Sequence, residues 1–173
     1  MENMKVEKIS ERYVVRRLDK RDVDTIFELC SKNRLYYQYC PPFITKNRIL
    51  EDMEALPAGK TKSDKYFLGY YENEILIAII DLIAGHPDAH TAYIGFFMID
   101  INIQGKGVGT EIIEELCNYL TKIGFQRVEL AWVKGNPQSE RFWIKNKFKP
   151  IGERSGNAAG HVIASERYLY PKL

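Results

Sequence analysis

Cysteine is scarce in this sequence, neither sign of charge is in excess, and no apolar run is long. The three cysteines, Cys30, Cys40 and Cys117, are widely spaced and form no CxxC pair, which excludes a disulfide framework and a zinc signature. Basic side chains number 25 and acidic ones 23, a net charge of +2. The basic stripe with which a dedicated nucleic-acid binder meets phosphates is therefore missing. The longest apolar stretch, residues 75–84, is interrupted by Asp81 and is too short to cross a bilayer. Residues 1–5 lack the apolar segment of a secretory signal. These absences predict a reduced, cytoplasmic protein with no nucleic-acid and no membrane partner.

What remains is globular. Hydrophobic residues make up 45% and charged residues 28% of 173 residues, one domain's worth of chain. A chain of this size buries about 68–70% of its unfolded surface and needs no staple. A single domain over residues 1–173 is expected. No internal repeat or low-complexity run divides it.

Residues 13–18 read as an opening strand, followed by a helix that Asp22 can cap, with Val23, Ile26, Phe27 and Cys30 at helical spacing. Residues 31–44 read as an aromatic, turn-rich passage containing Tyr36, Tyr37, Tyr39 and Pro41-Pro42. Thr45 can cap a second helix with Ile49, Leu50, Met53 and Leu56 on one face. Strands are predicted at 66–71 and 75–84, a hairpin around Glu72-Asn73-Glu74, and at 93–99. An amphipathic helix over 110–123 carries Ile112, Ile113, Leu116, Leu120 and Ile123 as its apolar stripe. A strand at 127–133 leads to a helix opened by Asn136-Pro137, and strands at 149–154 and 165–170 close the chain around a small-residue loop. The order, β-α-α-β-β-β-α-β-α-β-β, is a mixed α/β fold.

The most informative stretch is Gln104-Gly105-Lys106-Gly107-Val108-Gly109-Thr110. A strand leads in and a long helix leads out, so main-chain N–H groups converge at a helix N-terminus, where an anion such as pyrophosphate is favoured. Nothing structural demands three alternating glycines there on sequence grounds. Lys106 either adds a charge or is simply solvated. The GxGxxG fingerprint fails because Thr110 follows Gly109, and neither Gly59-Lys60 nor Gly105-Lys106 has phosphate-loop spacing.

Gln104-x-x-Gly107-x-Gly109 resembles the Q/R-x-x-G-x-G/A signature of the GNAT superfamily of acyl-CoA-dependent N-acetyltransferases. Asn136-Pro137-Gln138-Ser139 through Phe142-Trp143, with Lys147-Phe148 beyond, is similar to a second family segment. The resemblance covers residues 13–170 and is firmest over 93–148. It implies a mixed, mostly antiparallel sheet flanked by about four helices and splayed where acetyl-CoA binds. Pantetheine would lie between the strand near Phe97, Met98 and Ile99 and the strand at 130–134, paired to the main chain of Met98 and Ile99. The amides of Gly105, Lys106, Gly107, Val108, Gly109 and Thr110 would hold the pyrophosphate, with Gln104, Asn136, Ser139 and Trp143 contributing to the same site. The acceptor would be an amine on a small molecule or peptide, and a homodimer is compatible with such a fold.

The pattern departs from the family at two points. The tyrosine that often protonates the leaving thiolate is replaced by Trp143, whose indole N–H is no acid. Lys147 stands where a glycine precedes Phe148. A base is also needed, since an amine with a pKa of about 10 is protonated at neutral pH. Asp81, breaking an apolar strand, and Tyr93, in the strand before the signature, are the candidates, each with a packing or ion-pairing alternative. Asp100 and Glu129 read as solvated, His86 and His90 as surface residues, and Cys117 as buried. Tyr36, Tyr37 and Tyr39 either line an acceptor pocket or cover the core, and His161, in the small-residue loop, is not counted among the site residues although an acceptor could reach it. The reading is an N-acetyltransferase acting by direct attack in a ternary complex. The alternatives are an acyl-CoA-binding module with little turnover and an interaction domain that kept the fold and lost the site.

Overall fold

A computed structural model describes residues 3–156 and 160–170. After a 3-10 turn, β1 (Val14–Arg17) is followed by three helices, α1 (Val23–Ser31), α2 (Arg34–Tyr39) and α3 (Lys46–Glu54). Then come β2 (Lys65–Glu72), β3 (Ile75–Ala84), β4 (Thr91–Ile99), α4 (Val108–Lys122), β5 (Arg127–Val133), α5 (Pro137–Lys145), β6 (Lys149–Ser155) and β7 (His161–Tyr168). The strands form one sheet in the order β1-β2-β3-β4-β5-β7-β6. Every neighbouring pair is antiparallel except β4 and β5, which α4 connects in parallel, as a crossover helix requires. Among the described residues no helix is long and apolar enough to cross a membrane.

Strand alternation sorts the side chains to two cores. Ile80, Leu82, Ile94 and Leu130 meet Ile112, Ile113, Leu116 and Leu120 of α4 on one face. Phe67, Ile79 and Met98 meet Ile26 and Leu29 of α1 and Ile49 of α3 on the other. The central strand β3 is covered on both sides, which is why it reads as a nearly unbroken apolar run. Asn73 and Glu74, at φ 48° and 64°, close the β2–β3 hairpin, and two left-handed residues match the twist of the paired strands.

The passage expected as turns contains α2, so a third helix enters the order. With six residues and no side-chain cap, α2 has little intrinsic stability. Packing holds it: the Tyr36 ring meets Tyr37 at 5.0 Å and Phe96 at 5.9 Å, both edge-on. Asp22 does not cap α1. Its carboxylate accepts from the Asp19 amide at 2.8 Å and pairs with Arg16. Thr45 caps α3 as expected, accepting from the Arg48 amide at 3.1 Å, but Leu50 lies toward solvent. The last strand begins at His161 rather than 165, and residues 157–159 of the small-residue loop lie outside the described residues.

Candidate acyl-transfer cleft

The parallel pairing of β4 with β5 covers only Thr91 to Ile94 against Arg127 to Leu130. Residues 95–99 and 131–133 then diverge, opening a cleft of about 410 Å³. A bulge sets the geometry of its β4 wall. Asp81 lies opposite Phe96 and Leu82 opposite Ile94, so Gly95 is the extra residue. The Asp100 amide donates to Ile77 O at 2.8 Å, so alternation places Met98 in a bonded pair with Ile79 and turns Phe97 and Ile99 outward. Straight alternation from Ile94 would have turned Met98 to the cleft; the inserted Gly95 shifts the outward set by one. The expectation for Met98 is corrected accordingly: its main chain is spent on β3. The Ile99 carbonyl is also taken, by Gln104 Nε2 at 3.0 Å and Asn33 Nδ2 at 3.4 Å. Main-chain groups of Phe97 and the Ile99 N–H are left facing β5.

The 104–110 loop rims the other end. Gly105 and Gly107 sit at φ +75° and +83°, and a Cβ on either would meet nothing within 4 Å. They are glycine for the backbone turn. Val108, Gly109 and Thr110 open α4, where their N–H groups have no intrahelical partner. Gly109 has a different reason: its Cβ would fall 2.5 Å from Ile99 Cδ1 and 2.9 Å from Phe142 Cε2. Packing therefore does demand the third glycine, contrary to the sequence-based expectation. Lys106 is exposed, and neither it nor Val108 lines the cleft. Gln104 is a tether: Nε2 donates to Asn33 Oδ1 at 2.6 Å as well as to Ile99, and Gln138 Nε2 reaches its Oε1 at 3.3 Å. The cradle, the orphan amides and the unpaired strand edge fit an acyl-CoA.

The floor comes from α5. Asn136 is buried and accepts from the Gln138 and Ser139 amides at 3.2 and 3.3 Å, while its Nδ2 donates to Ser139 Oγ at 3.0 Å. This cap aims α5 so that Phe142 and Trp143 meet Phe97 at 5.6 and 5.7 Å. Trp143 also packs edge-on against Phe148 at 5.1 Å and is only 7% exposed, so it serves as wall and core.

Across the cleft stand Asn33, Tyr36, Cys40, Gly95 and Phe96. Sequence reasoning did not single out Asn33, Gly95 or Phe96, and it gave Phe142 only as part of the family-like segment, without a place in the site; an asparagine between two short helices carries no local signal. Of the three tyrosines, Tyr36 lines the cleft and Tyr37 is buried in the core. Burial drives the Tyr36 phenol well above its ordinary value, so it stays protonated as a donor.

Asp81 does not line the cleft directly. Its Oδ2 takes Lys65 Nζ at 2.9 Å, its Oδ1 is buried without a partner, and it sits behind the Gly95 bulge. Tyr93 is not brought to the cleft either: its ring lies edge-on to His86 at 5.5 Å, and burial raises its phenol. Glu129, expected in solvent, is buried at 5% exposure and 3.4 Å from Arg127 Nε, because alternation in the sheet's middle turns it onto the covered part of the face. His90 is exposed as expected, and exposed His161 pairs with Glu153 at 3.0 Å.

Known structures share this architecture. An acetyltransferase from Thermus thermophilus superposes with a TM-score of 0.74 at 17% identity, covering 91% of this chain and 97% of its own. The PaiA N-acetyltransferase from Thermoplasma acidophilum, solved in complex with coenzyme A, gives 0.65 at 19% identity over 90% and 98%. A chimera built on spermidine N-acetyltransferase from Vibrio cholerae gives 0.69 at 17% identity over 92% and 96%. At such identities the likeness is one of fold. A search of curated protein sequences finds no significant match. The model of the acetyltransferase (GNAT) family matches residues 28–148, most of the chain and both walls of the cleft, and the chain accordingly belongs to the GNAT family as an acyltransferase.

Proposed function

We propose that this chain transfers an acetyl group from acetyl-CoA to a primary amine by direct attack within a ternary complex. The observation that carries the reading is the interrupted β4–β5 pairing, which leaves an unpaired strand edge next to a glycine-turned helix N-terminus. An extended pantetheine suits such an edge as an added strand would, and its pyrophosphate suits the amides of residues 105–110. Phe97, Phe142 and Trp143 exclude water from the thioester, and the main chain at Phe97 offers hydrogen bonds to it. Bound acetyl-CoA supplies an activated carbonyl: the C–N bond forms as the C–S bond breaks, and sulfur leaves with the electron pair. The seven strands among the described residues belong to one sheet, which supports a single domain over 1–173.

Trp143 favours a second reading, an acyl-CoA-binding module with little turnover, because no hydroxyl stands at that position to protonate the leaving thiolate. Release of free thiol from acetyl-CoA with an amine present separates the two.

Calorimetric titration with acetyl-CoA, with NADH and ATP as controls, tests the site. We expect binding of acetyl-CoA alone, of about micromolar strength or roughly −8 kcal/mol, and its loss in Gly107→Val. Equal heats with the controls, or none with acetyl-CoA, would overturn the proposal.

A further inference from the structure

The acceptor side of the cleft has a composition that constrains what it takes. Among the described residues lining the cleft, Lys145 is the one charged side chain, and no carboxylate is present. Tyr36, Phe96 and Cys40 form the wall facing away from α5. A polyamine needs several carboxylates to replace the water around its ammonium groups. An aromatic or aliphatic body needs a dry wall of this kind.

One carboxylate is nevertheless within reach. Gly95 is exposed in the middle of the sheet, at the bulge, where strand residues are otherwise covered. A Cβ there would lie 3.3 Å from Asp81 Oδ2. The missing side chain thus leaves a gap between the cleft and the Asp81 carboxylate. Lys65, from β2, holds Oδ2 at 2.9 Å and is itself anchored to Ala55 O at 2.8 Å; Oδ1 has no partner. Glu129, the other buried carboxylate near this face, is already paired with Arg127.

We propose that the acceptor is a monoamine on an aromatic or aliphatic body, its ammonium received by Asp81 through the Gly95 gap and its body resting on Tyr36, Phe96 and Cys40. This rests on the acetyl-transfer reading above. Asp81 takes one proton from the ammonium, freeing the nitrogen lone pair to attack the thioester carbonyl. As the C–S bond breaks, the second proton passes from nitrogen to the departing sulfur. The proton on Asp81 then leaves to solvent, so the sum is an ammonium and a thioester giving an amide, a thiol and one proton. The groups facing Asp81 are Lys65 from β2 and Asp52 from α3. Burial raises the carboxyl above its ordinary range, with Lys65 opposing and Asp52 reinforcing the shift.

The test uses the full chain, acetyl-CoA and a thiol-release assay, with 2-phenylethylamine and spermidine as probes. We expect kcat/KM for phenylethylamine to exceed that for spermidine by about tenfold or more. Asp81→Asn is expected to raise KM for phenylethylamine by about tenfold or more while acetyl-CoA affinity holds. Its pH profile separates binding from packing. The native kcat/KM should level off between the pKa of Asp81 and that of the amine, whereas Asp81→Asn should rise with unit slope throughout. If Asp81→Asn does not fold, Gly95→Ala narrows the gap while keeping both Asp81 and Lys65 and should raise the same KM. A preference for spermidine overturns the proposal, as does an unchanged KM in Gly95→Ala together with either an unchanged KM or no folding in Asp81→Asn. Acetyl-CoA binding without turnover of either amine overturns this inference alone, and absence of acetyl-CoA binding overturns the acetyl-transfer reading and this inference with it.

Discussion

The wall of the cleft that carries Phe97, the 104–110 loop, Phe142 and Trp143 comes from one continuous stretch running from β4 to α5. The opposite wall takes Asn33, Tyr36 and Cys40 from before β2, while Gly95 and Phe96 come from a bulge in β4 and Asp81 from behind it on β3. Most positions on the first wall have a local reason: positive φ at Gly105 and Gly107 and a cap at Asn136, while Gly109 answers to close approach by Ile99 and Phe142 within the same stretch. On the second wall almost every position depends on a partner far away in sequence. Asn33 ties the two together, through Gln104 to Gln138 and directly to the Ile99 carbonyl. Local rules therefore build a general acyl-donor site, and long-range packing builds the part that selects an acceptor.

Four substitutions sharpen or break that comparison. Trp143→Ala should have the largest effect, because the ring is almost fully buried among Phe97, Phe142 and Phe148. A loss of about 3–5 kcal/mol in urea unfolding is expected; a loss no larger than that of a surface residue would mean the aromatic floor is not core. Gly109→Val should cost about 1–3 kcal/mol through overpacking against Ile99 and Phe142, and an unchanged melting temperature would remove the packing reason for that glycine.

Asn33→Ala removes donors to Leu29 O and Ile99 O and the acceptor for Gln104. The expected cost is about 1–3 kcal/mol, with faster amide exchange at residues 104–107; protection equal to wild type there would mean the two walls are not coupled through it. Tyr36→Phe should be smallest, about 0.5–1.5 kcal/mol for one phenolic hydrogen bond. It should alter amine kinetics and leave acetyl-CoA affinity as it was. A weakened acetyl-CoA complex would place Tyr36 on the donor wall instead.

The same division decides what the sequence makes legible. The glycine loop, the α4 stripe and the Asn136 cap announce themselves because turn chemistry, periodicity and capping act within a few residues. The orientation of Met98 does not, because one inserted residue at Gly95 reverses which main-chain groups face β5. Neither does α2, a six-residue helix without a side-chain cap that exists against Phe96, nor the burial of Glu129, which follows from where β5 lies in the sheet. The interruption at Asp81 is visible in sequence; its partner Lys65 is visible only once β2 and β3 are in register.

The most direct measurement is a crystal structure of the chain with coenzyme A. This account predicts pantetheine between residues 95–99 and 131–133, hydrogen-bonded to the main chain of Phe97, with the pyrophosphate on the amides of residues 105–110. Coenzyme A bound elsewhere, or β4 and β5 paired along their full length beside it, would contradict it.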